Sequence, residues 1–522
     1  MASSSNDGRS MDITLVDISG QEITRGTWHG DCKAHELFQA AYKTKPGFLC
    51  KLLNGSEELS PQSVLASLGE NLDHLTVVWM RGALQKRQHA FNPAFAAVKS
   101  DGSVITWGDA ARGGDSSRVE HRLQEDVVQV VGNGYAFAAV KSDGSVITWG
   151  SANGGGDSSR VEHRLQEGVV QVEGNGIFCG AAFAAVKSNG SVIIWGSANA
   201  GGDSSRIEHR LQEGVVQVVG NGYAFAAVKS DGSVITWGFA NGGGDSSRVE
   251  HRLQEGVVQV VGNGNGASAA FAAVKSDGSV ITWGDAARGG DSSRVKHRLQ
   301  EGVVQVVGNG YAFSAVKSDG SVITWGDASR GGNSSFVKRR LQEGVVQVQG
   351  NGNGIGAAFA AVKSDGSVIT WGSANAGGDN SRVEHRLQEG VVQVVGNGYA
   401  FAAVKSNGSV ITWGFADSGG DNSRVEHRLQ EGVVHVVGDG FAFAAVKSDG
   451  SVITWGDFAK GGDSSRVEHR LQEGVVQVVG NGYAFAAVKS DGSVVTWGDA
   501  AKGRDNSRVE HRLQEGVIGV VS

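Results

Sequence analysis

A fifteen-residue stretch, AFAAVKSDGSVITWG at residues 136–150, returns nearly unchanged ten times between residue 93 and the end of the chain. The tryptophan of its Trp-Gly ending recurs at spacings of 42 or 46 residues. Such a period is typical of solenoids and propellers, in which one unit cannot bury its own faces and stacks on copies of itself. We therefore predict a structural role for ten tryptophans: Trp107, Trp149, Trp195, Trp237, Trp283, Trp325, Trp371, Trp413, Trp455 and Trp497.

Each unit is predicted to contain three strands. In the second copy, Ala136–Lys141 and 145–149 are rich in strand-forming residues, and Asp143 and Gly144 between them suit a tight type I′ hairpin turn. A leading strand at 127–131 precedes this hairpin across an Asn-Gly loop. Both faces of the hairpin are mostly apolar, as expected for a sheet covered on both sides by neighbouring sheets. The predicted fold class is mainly β, a propeller-like array of ten units.

The segment after the Trp-Gly pair, SRVEHRLQEG at 159–168, has the pattern of a short helix. Ser159 and Glu162 have the spacing of a capping box, Val161 and Leu165 share a helical face, and Gly168 fits the position just after a helix. We predict an outer helix of about two turns. The alternative is a fourth, edge strand, as in most propeller blades.

The two ends of the array are offset by one strand. The first unit begins directly with its hairpin near Ala94, whereas the chain ends in an additional strand-like segment at 517–521. This last segment can supply the leading strand that the first unit lacks, which would close a ring and remove exposed sheet edges. Ten blades exceed the usual four to eight, so an open superhelix is the alternative.

Residues 11–82 follow a different pattern. Two alternating segments around Ser19-Gly20 predict a hairpin, residues 31–42 have helical spacing, and two further strands follow at 48–53 and 74–80. The order is β-β-α-β-β. We expect residues 1–10 to be disordered and residues 83–92 to form a linker.

That order, with the phrases KLLNGSEEL and LTVVWMRG, resembles ubiquitin and the ubiquitin-like β-grasp domains. Ubiquitin ends in a free Gly-Gly tail, whereas this chain continues through Arg81-Gly82-Ala83, so the resemblance implies a built-in domain and not a conjugated modifier. Such domains dock on ubiquitin receptors through an apolar patch on the sheet, for which Leu52 and Val78 are the candidates. The alternative is that both residues belong to the core.

The phrases FAAVKSDGSVITWG and GVVQVVGNGYA resemble repeats of the regulator of chromosome condensation family. This chain departs from that family in its shorter units, in having ten in place of seven, and in GGDSS at 155–159 where Gly-Gln-Leu-Gly is usual. The resemblance implies a β-propeller. Family members include an exchange factor for a nuclear GTPase and HECT-type ubiquitin ligases, but this chain contains no HECT catalytic domain.

Composition limits the partners. The net charge of −7 and the lack of a basic block argue against a general nucleic-acid surface. Three scattered cysteines favour a reducing compartment. The polar start lacks a secretory signal, and no run approaches the roughly 18 apolar residues that cross a bilayer. We expect a cytoplasmic or nuclear protein that is not secreted and has no membrane partner.

The recurring polar residues do not predict catalysis. The histidine of each EHR motif lies on a separate unit, and equivalent positions on stacked sheets are at least about 10 Å apart, too far to share a zinc ion. One aspartate in each Gly-Gly-Asp turn is too little for calcium, and turn chemistry explains it. Because the chain repeats every polar group, we predict no catalytic residue, no metal and no cofactor.

Symmetry is broken by four-residue insertions in alternate units. They enlarge the loop before the hairpin and should therefore cluster on one face. We predict that this face binds a protein, with ubiquitin receptors and a small GTPase as candidate partners and a non-enzymatic adaptor as the leading function. An exchange factor and a purely structural array are the alternatives. The insertion residues predicted to bind are Ile177, Phe178, Asn265, Ser268, Asn353 and Ile355.

Overall fold

The structure is a computed structural model, and it describes two regions of strands. The described residues are 10–17, 20–30, 32, 37, 40, 48–55, 57–59, 65, 73–81, 92–176, 180–265, 268–354 and 356–522. Within these ranges, no helix has both the length and the apolar character to cross a membrane.

The N-terminal region is a five-stranded mixed sheet. Its strand order is β2-β1-β5-β3-β4, and the first and last strands are parallel neighbours at its centre. The four strands predicted along the chain are present as β1, β2, β3 and β5, and β4 is an additional short strand. Leu37 and Ala40 are helical, but most of the helix predicted at 31–42 lies outside the described residues. The strands are β1 Ser10–Val16, β2 Glu22–His29, β3 Phe48–Asn54, β4 Glu57–Glu58 and β5 His74–Arg81.

Leu52 belongs to the core of this sheet. Its side chain is fully buried and packs in one cluster with Ile13, Leu15 and Val77. A role for Leu52 in an exposed docking patch is therefore wrong, because strand alternation turns its side chain inward. Val78, which follows Val77 on β5, is half-buried.

The rest of the chain forms ten three-stranded antiparallel sheets, which we number as blades 1 to 10. In each blade the strand with the AFAAVK sequence is central, the VVQVVG strand lies on one side and the VITWG strand on the other. The strands are β6 Ala94–Lys99, β7 Val104–Gly108 and β35 Val517–Val521 (blade 1); β8 Val127–Gly132, β9 Ala136–Lys141 and β10 Val146–Gly150; β11 Val169–Gly176, β12 Ala181–Lys187 and β13 Val192–Gly196; β14 Val215–Gly220, β15 Ala224–Lys229 and β16 Val234–Gly238; β17 Val257–Asn265, β18 Ser268–Lys275 and β19 Val280–Gly284; β20 Val303–Gly308, β21 Ala312–Lys317 and β22 Val322–Gly326; β23 Val345–Asn353, β24 Gly356–Lys363 and β25 Val368–Gly372; β26 Val391–Gly396, β27 Ala400–Lys405 and β28 Val410–Gly414; β29 Val433–Gly438, β30 Ala442–Lys447 and β31 Val452–Gly456; and β32 Val475–Gly480, β33 Ala484–Lys489 and β34 Val494–Gly498 (blade 10).

Two short 3₁₀ helices follow each blade. The first helix comes directly after the Trp-Gly pair, and we name it the inner turn; the second carries the EHR motif in most units, and we name it the outer turn. Inner turns are Ala110–Arg112, Ala152–Gly154, Ala198–Ala200, Ala240–Gly242, Ala286–Arg288, Ala328–Arg330, Ala374–Ala376, Ala416–Ser418, Phe458–Lys460 and Ala500–Lys502; outer turns are Glu120–Arg122, Glu162–Arg164, Glu208–Arg210, Glu250–Arg252, Ser293–Arg298, Ser335–Val337, Glu384–Arg386, Glu426–Arg428, Glu468–Arg470 and Glu510–Arg512.

The array is a closed ring. The last strand, β35, pairs antiparallel with β6 and supplies the leading strand that the first unit lacks. Trp107 Nε1 of blade 1 donates to Gly503 O, which follows blade 10, at 2.9 Å. Arg512 also pairs with Glu120 across the same junction. The closed ring is therefore confirmed, and the open superhelix is wrong.

Neighbouring blades are joined by the repeat tryptophans. In every blade the indole stacks on the phenylalanine of its own central strand, as for Phe137 and Trp149 with centroids 5.4 Å apart. The same indole donates to a glycine carbonyl of the preceding inner turn, as from Trp149 Nε1 to Gly113 O at 3.0 Å. Gly113 has a φ of 102°, and a Cβ there would lie 2.5 Å from the Phe137 ring. The structural role predicted for the tryptophans thus has a specific geometry.

The Asp-Gly hairpins differ from the predicted type I′ turn. Gly144 N donates to Lys141 O, and Lys141 N donates to Ser145 O, so Ser142 and Asp143 fill the centre of a turn in which only Gly144 has positive φ, at 77°. This is the three-residue loop with a left-handed third residue. Asp143 Oδ1 accepts from Ser145 N at 2.8 Å, a bond that holds the carboxylate beside the turn.

The EHR segment forms a short helix and not a fourth strand. It is shorter than predicted, because Glu162–Arg164 is one 3₁₀ turn. The predicted capping box is wrong, because Val161 is the N-cap and no side chain caps this helix. Ser159 N donates to Asp157 Oδ1 at 2.9 Å, so the Gly-Gly-Asp aspartate orders the turn that precedes the helix. Leu165 then anchors the segment, since it is fully buried and its carbonyl accepts from Val146 N.

Removal of the last strand is expected to open the ring. A chain that ends at residue 516 leaves β6 with an unpaired edge and exposes the surface that Val517 and Val520 cover. The truncated chain should melt at a lower temperature and show a larger radius of gyration by small-angle X-ray scattering. Ile518→Ser is the matched control, because Ile518 is 63% exposed and the strand remains. Unchanged scattering and melting of the truncated chain would contradict closure by β35.

Stability is expected to fall in acid. The Ser145 N–H and hydroxyl hold the pKa of Asp143 below its ordinary value of 3.8, and Ser321 and Ser451 do the same for Asp319 and Asp449. A lowered folded-state pKa stabilises the fold above the unfolded pKa, and this contribution is lost as pH falls below about 4. Urea midpoints measured from pH 7 to pH 2.5 should decrease in that window.

The variant Asp143→Asn, Asp319→Asn, Asp449→Asn should show a shallower decrease. Asparagine is a suitable replacement, because Asn189 and Asn407 already occupy equivalent turns and accept the same serine N–H bonds at 2.9 and 3.0 Å. An identical pH dependence in the variant and the parent chain would show that these carboxylates are not the source.

Candidate functional site

The units differ most at one end of the blades. We name this end the Asn-Gly face; it comprises the Asn-Gly loops between the leading and central strands together with the inner turns. The Asp-Gly hairpins lie at the other end of the same strands. Aromatic contacts place the two parts of the face together, since the rings of Tyr223 in a loop and Phe239 at an inner turn have centroids 6.1 Å apart.

Buried asparagines hold this face in place. Asn309 Nδ2 donates to Arg330 O of its own inner turn at 2.7 Å and to Ala358 O of the next blade at 3.5 Å. Its Oδ1 accepts from Tyr311 N and Ala312 N. One amide side chain therefore fixes a loop, a turn and a neighbouring blade. Equivalent bonds from Nδ2 to an inner-turn carbonyl are made by Asn133, Asn175, Asn221, Asn263, Asn351, Asn397 and Asn481.

An aromatic residue follows the Asn-Gly pair, or the Asp-Gly pair at 439–440, in the plain loops, and cations pack on several of these rings. The guanidinium of Arg112 lies 4.7 Å from the Tyr135 centroid. Tyr311 is contacted by two guanidiniums, Arg288 at 4.1 Å and Arg330 at 4.2 Å. Because cation–π contacts strengthen away from water and Tyr311 is 3% exposed, this cluster fixes the inner turns of blades 5 and 6.

Blades 8 to 10 carry a continuous row of aromatic rings, which we name the aromatic strip. It consists of Phe415, Tyr399, Phe441 and Tyr483, with successive ring centroids 6.2, 5.4 and 6.4 Å apart. Lys460 Nζ lies 3.3 Å from the Phe441 centroid. Phe415 is 45% exposed and the other three rings are half-buried, so the strip is open to a partner.

Tyr399 is half-buried on this face. Burial raises the pKa of Tyr399 above its ordinary value, and the nearby hydroxyls of Tyr311 and Tyr483 raise it further. The Tyr399 phenol therefore remains a neutral hydrogen-bonding group at physiological pH.

The inner turns are of two chemical kinds. In blades 1, 5, 6, 9 and 10 the residue before the inner turn is aspartate and the last residue of the turn is a cation; Asp327 and Arg330, for example, pair at 3.0 Å. In blades 2, 3, 4, 7 and 8 the residue before the turn is serine or phenylalanine, and the turn contains no cation. The face thus carries cations at five inner turns and none at the other five, although the sheets beneath it are nearly identical.

The insertions lengthen strands, which the sequence did not predict. In blade 5 Asn265 pairs with Ser268, and in blade 7 Asn353 pairs with Gly356, so the ladder of β17 with β18 and of β23 with β24 continues to the hairpin tip. Ile177, Phe178 and Ile355 lie outside the described residues, as do the side chains of Asn265 and Asn353. The insertions belong to the Asn-Gly end of blades 3, 5 and 7.

The repeated histidines and aspartates do not come together. His163 and its equivalents are exposed on separate outer turns, and each Gly-Gly-Asp carboxylate accepts from the serine N–H two residues later, as Asp157 does. Among the residues that the structure describes, no group of three histidine, cysteine, aspartate or glutamate side chains could hold a metal ion.

Comparison with known proteins found no matching family model and no matching curated protein. Among solved structures, the chain is similar to Prp20p from Saccharomyces cerevisiae, with 14% identity over 80% of this chain and 84% of that chain and a TM-score of 0.30. It is also similar to the CRINKLY WD40 ectodomain of the Arabidopsis thaliana receptor kinase ACR4, with 16% identity, 63% and 95% coverage and a TM-score of 0.31. Human WBSCR16 matches with 18% identity, 48% and 81% coverage and a TM-score of 0.31.

Loss of one buried amide should loosen the face. Asn309→Ala leaves Tyr311 N, Ala312 N and Arg330 O without their partner, at a cost of about 1–3 kcal/mol in unfolding free energy. Hydrogen exchange should increase at the loop and at the inner turn 328–330. Gln305→Ala in the leading strand of the same blade is the control, because Gln305 is half-buried and no hydrogen bond of its side chain is described. Equal exchange in both variants would contradict the role of the amide.

Proposed function

We propose that this chain is a non-enzymatic protein-binding scaffold that holds a partner on its Asn-Gly face. The observation that carries this proposal is the aromatic strip of Phe415, Tyr399, Phe441 and Tyr483 beside Lys460. Aromatic residues and cations are enriched in the centres of protein interfaces, where large rigid side chains fill pockets of the partner.

The fold favours a binding surface of this kind. The sheets and the buried asparagines fix the backbone on which the strip stands, so little entropy is lost when a partner binds. The strip is also found where units differ, whereas the blade interiors repeat. A rigid frame with variable loops at one end suits recognition of one specific protein.

The N-terminal sheet supports a more specific proposal, a link to ubiquitin handling. Its strand order, with parallel first and last strands at the centre, is shared with ubiquitin-like domains. Because Leu52 is buried, half-buried Val78 is the remaining candidate for contact with a ubiquitin receptor. We place the protein in the cytoplasm or nucleus under this proposal. A small GTPase is the second candidate partner for the ring, and it rests on the sequence resemblance alone.

The partner test uses a pair of variants matched by blade. Phe415→Ser and Phe458→Ala, together, remove side chains that are 45% and 57% exposed, and install residues that other units carry at the same positions. Val392→Ser and Val434→Ser remove side chains that are each 60% exposed near the Asp-Gly end of blades 8 and 9. Tagged full chains are cross-linked in cells, and the captured proteins are identified by mass spectrometry.

We expect the phenylalanine variant to lose its ring-bound partner, and the valine variant to keep it, with equal melting temperatures. Retention of every partner by the phenylalanine variant would contradict the proposal. Capture of ubiquitin receptors should be lost in the Val78→Asp variant and kept in the phenylalanine and valine variants. If a GTPase is captured, nucleotide release measured with the purified full chain decides whether the ring is an exchange factor.

A further inference from the structure

The outer turns form a chain of ion pairs around the ring, and the chain is broken at two consecutive junctions. At eight junctions an arginine of one outer turn pairs with the glutamate of the next, as Arg340 does with Glu384 at 2.9 Å. The other seven pairs are Arg122–Glu162, Arg164–Glu208, Arg210–Glu250, Arg386–Glu426, Arg428–Glu468, Arg470–Glu510 and Arg512–Glu120. At the remaining two, lysines stand where the glutamate belongs: Lys296 and Lys338.

Each broken junction places cation beside cation. Arg252 faces the position of Lys296, and Arg298 faces that of Lys338. Arg298 Nη2 donates to Val322 O at 3.2 Å, the same kind of backbone bond that Arg340 makes to Val368 O. The guanidinium is therefore held in the ordinary place. Within the described part of the chain, neither Arg252 nor Arg298 has a carboxylate partner.

The second of these turns differs in two further residues. Phe336 stands where the other nine units have arginine, and its side chain is 100% exposed. Arg339 replaces the histidine of the EHR motif and is exposed. Three departures within four residues, all cationic or aromatic, distinguish this turn from those of a chain that otherwise copies itself.

The charge of this segment is opposite to that of its surroundings. The usual stretch from the Gly-Gly-Asp aspartate to the following glycine, as at 157–168, contains two cations and three carboxylates. Residues 291–302 contain three cations and two carboxylates, and residues 333–344 contain three cations and one carboxylate. We name the set Arg252, Lys296, Arg298, Phe336, Lys338 and Arg339 the basic rim.

We propose that the basic rim binds a short acidic protein segment that carries an apolar side chain. Carboxylates would satisfy the unpaired guanidiniums and ammoniums, and the apolar residue would cover Phe336. The limited extent of the rim favours a short segment over a nucleic acid. A longer polyanion would extend onto flanking turns in which carboxylates outnumber cations, and like charges there would repel it. This site lies apart from the aromatic strip and does not depend on the proposed function.

The test restores the residues that the other units carry. The variant Lys296→Glu, Phe336→Arg, Lys338→Glu, Arg339→His should complete the ion-pair chain, and so melt at the same or a slightly higher temperature. Fluorescence anisotropy of the full chain is measured with a labelled peptide of Glu-Glu-Leu repeats. We expect the variant to bind this peptide at least about tenfold more weakly, and the parent chain to lose affinity as salt rises.

Further measurements separate the contribution of charge to peptide binding from that of the Phe336 ring. Phe336→Ser alone should weaken binding of the Glu-Glu-Leu peptide but not of a Glu-Glu-Ser peptide, because it removes the ring and leaves the charge unchanged, and neutral Gln-Gln-Leu repeats should not bind. The Phe415→Ser, Phe458→Ala variant should bind as the parent does. Equal peptide affinity in the parent and the restored variant would overturn the proposal. Tighter binding of oligothymidylate than of the acidic peptide would also overturn it, in favour of a nucleic-acid site.

Discussion

The bond from each tryptophan indole to a glycine carbonyl of the preceding inner turn is the contact on which the ring depends. It is buried, so an indole N–H without it would remain unsatisfied at a cost of about 1–3 kcal/mol. The carbonyl is within reach only because the glycine has a left-handed backbone and no Cβ, as Gly113 does against Phe137. Tryptophan, phenylalanine and glycine therefore form one interlocked set, and a change in one requires changes in the others.

This interlock divides the chain into invariant and variable parts. The blade interiors contain small alanines on the central strand, fully buried in every unit, which leave no room for a larger side chain. Most differences between units lie in the inner turns, the Asn-Gly loops and the outer turns, and strand substitutions such as Ser314 for alanine are few. The aromatic strip and the basic rim are both built from such differences, and they occupy separate surfaces of one frame.

The sequence was sufficient to predict the period and the three strands, because these follow from repetition and alternation. The offset of the two ends indicated how a ring could close, but an open superhelix fitted the same sequence, and the pairing of β35 with β6 decides between them. Local turn chemistry was harder. Asp143-Gly144 fits two hairpin loops, and only the bond from Lys141 N to Ser145 O selects the three-residue loop. Ser159 has the spacing of a helix cap, but its N–H donates to Asp157 and the helix begins after Val161. The alternation of the strand that contains Leu52 does not say which of its faces is buried; Leu52 is buried because its face packs on the core cluster of the sheet.

The candidate site was the least predictable part. The insertions drew attention to the Asn-Gly end of the blades, but the aromatic strip is assembled from Phe415, Tyr399, Phe441 and Tyr483, which lie on three blades. For Phe415 the signal was the residue after the Trp-Gly pair, which is serine, aspartate or phenylalanine in different units; the other three rings follow the Asn-Gly or Asp-Gly pair of their loops. The significance of that position depends on the Asn-Gly loop packing beside it, a contact that the period alone does not give.

The offset of the two termini also determines how a chain of copies assembles in one order. Nearly all contacts join a blade to its neighbour along the sequence, so they form without closing a long loop. The pairing of β35 with β6 joins residues about 420 apart. Ten leading strands of nearly equal sequence could compete for any central strand, but nine central strands are already paired within their own blades. The final strand therefore pairs with β6 because β6 is the one central strand without a leading strand, and not because its own sequence is distinctive. Until it docks, the open edge of β6 can also pair with the leading strand of another chain.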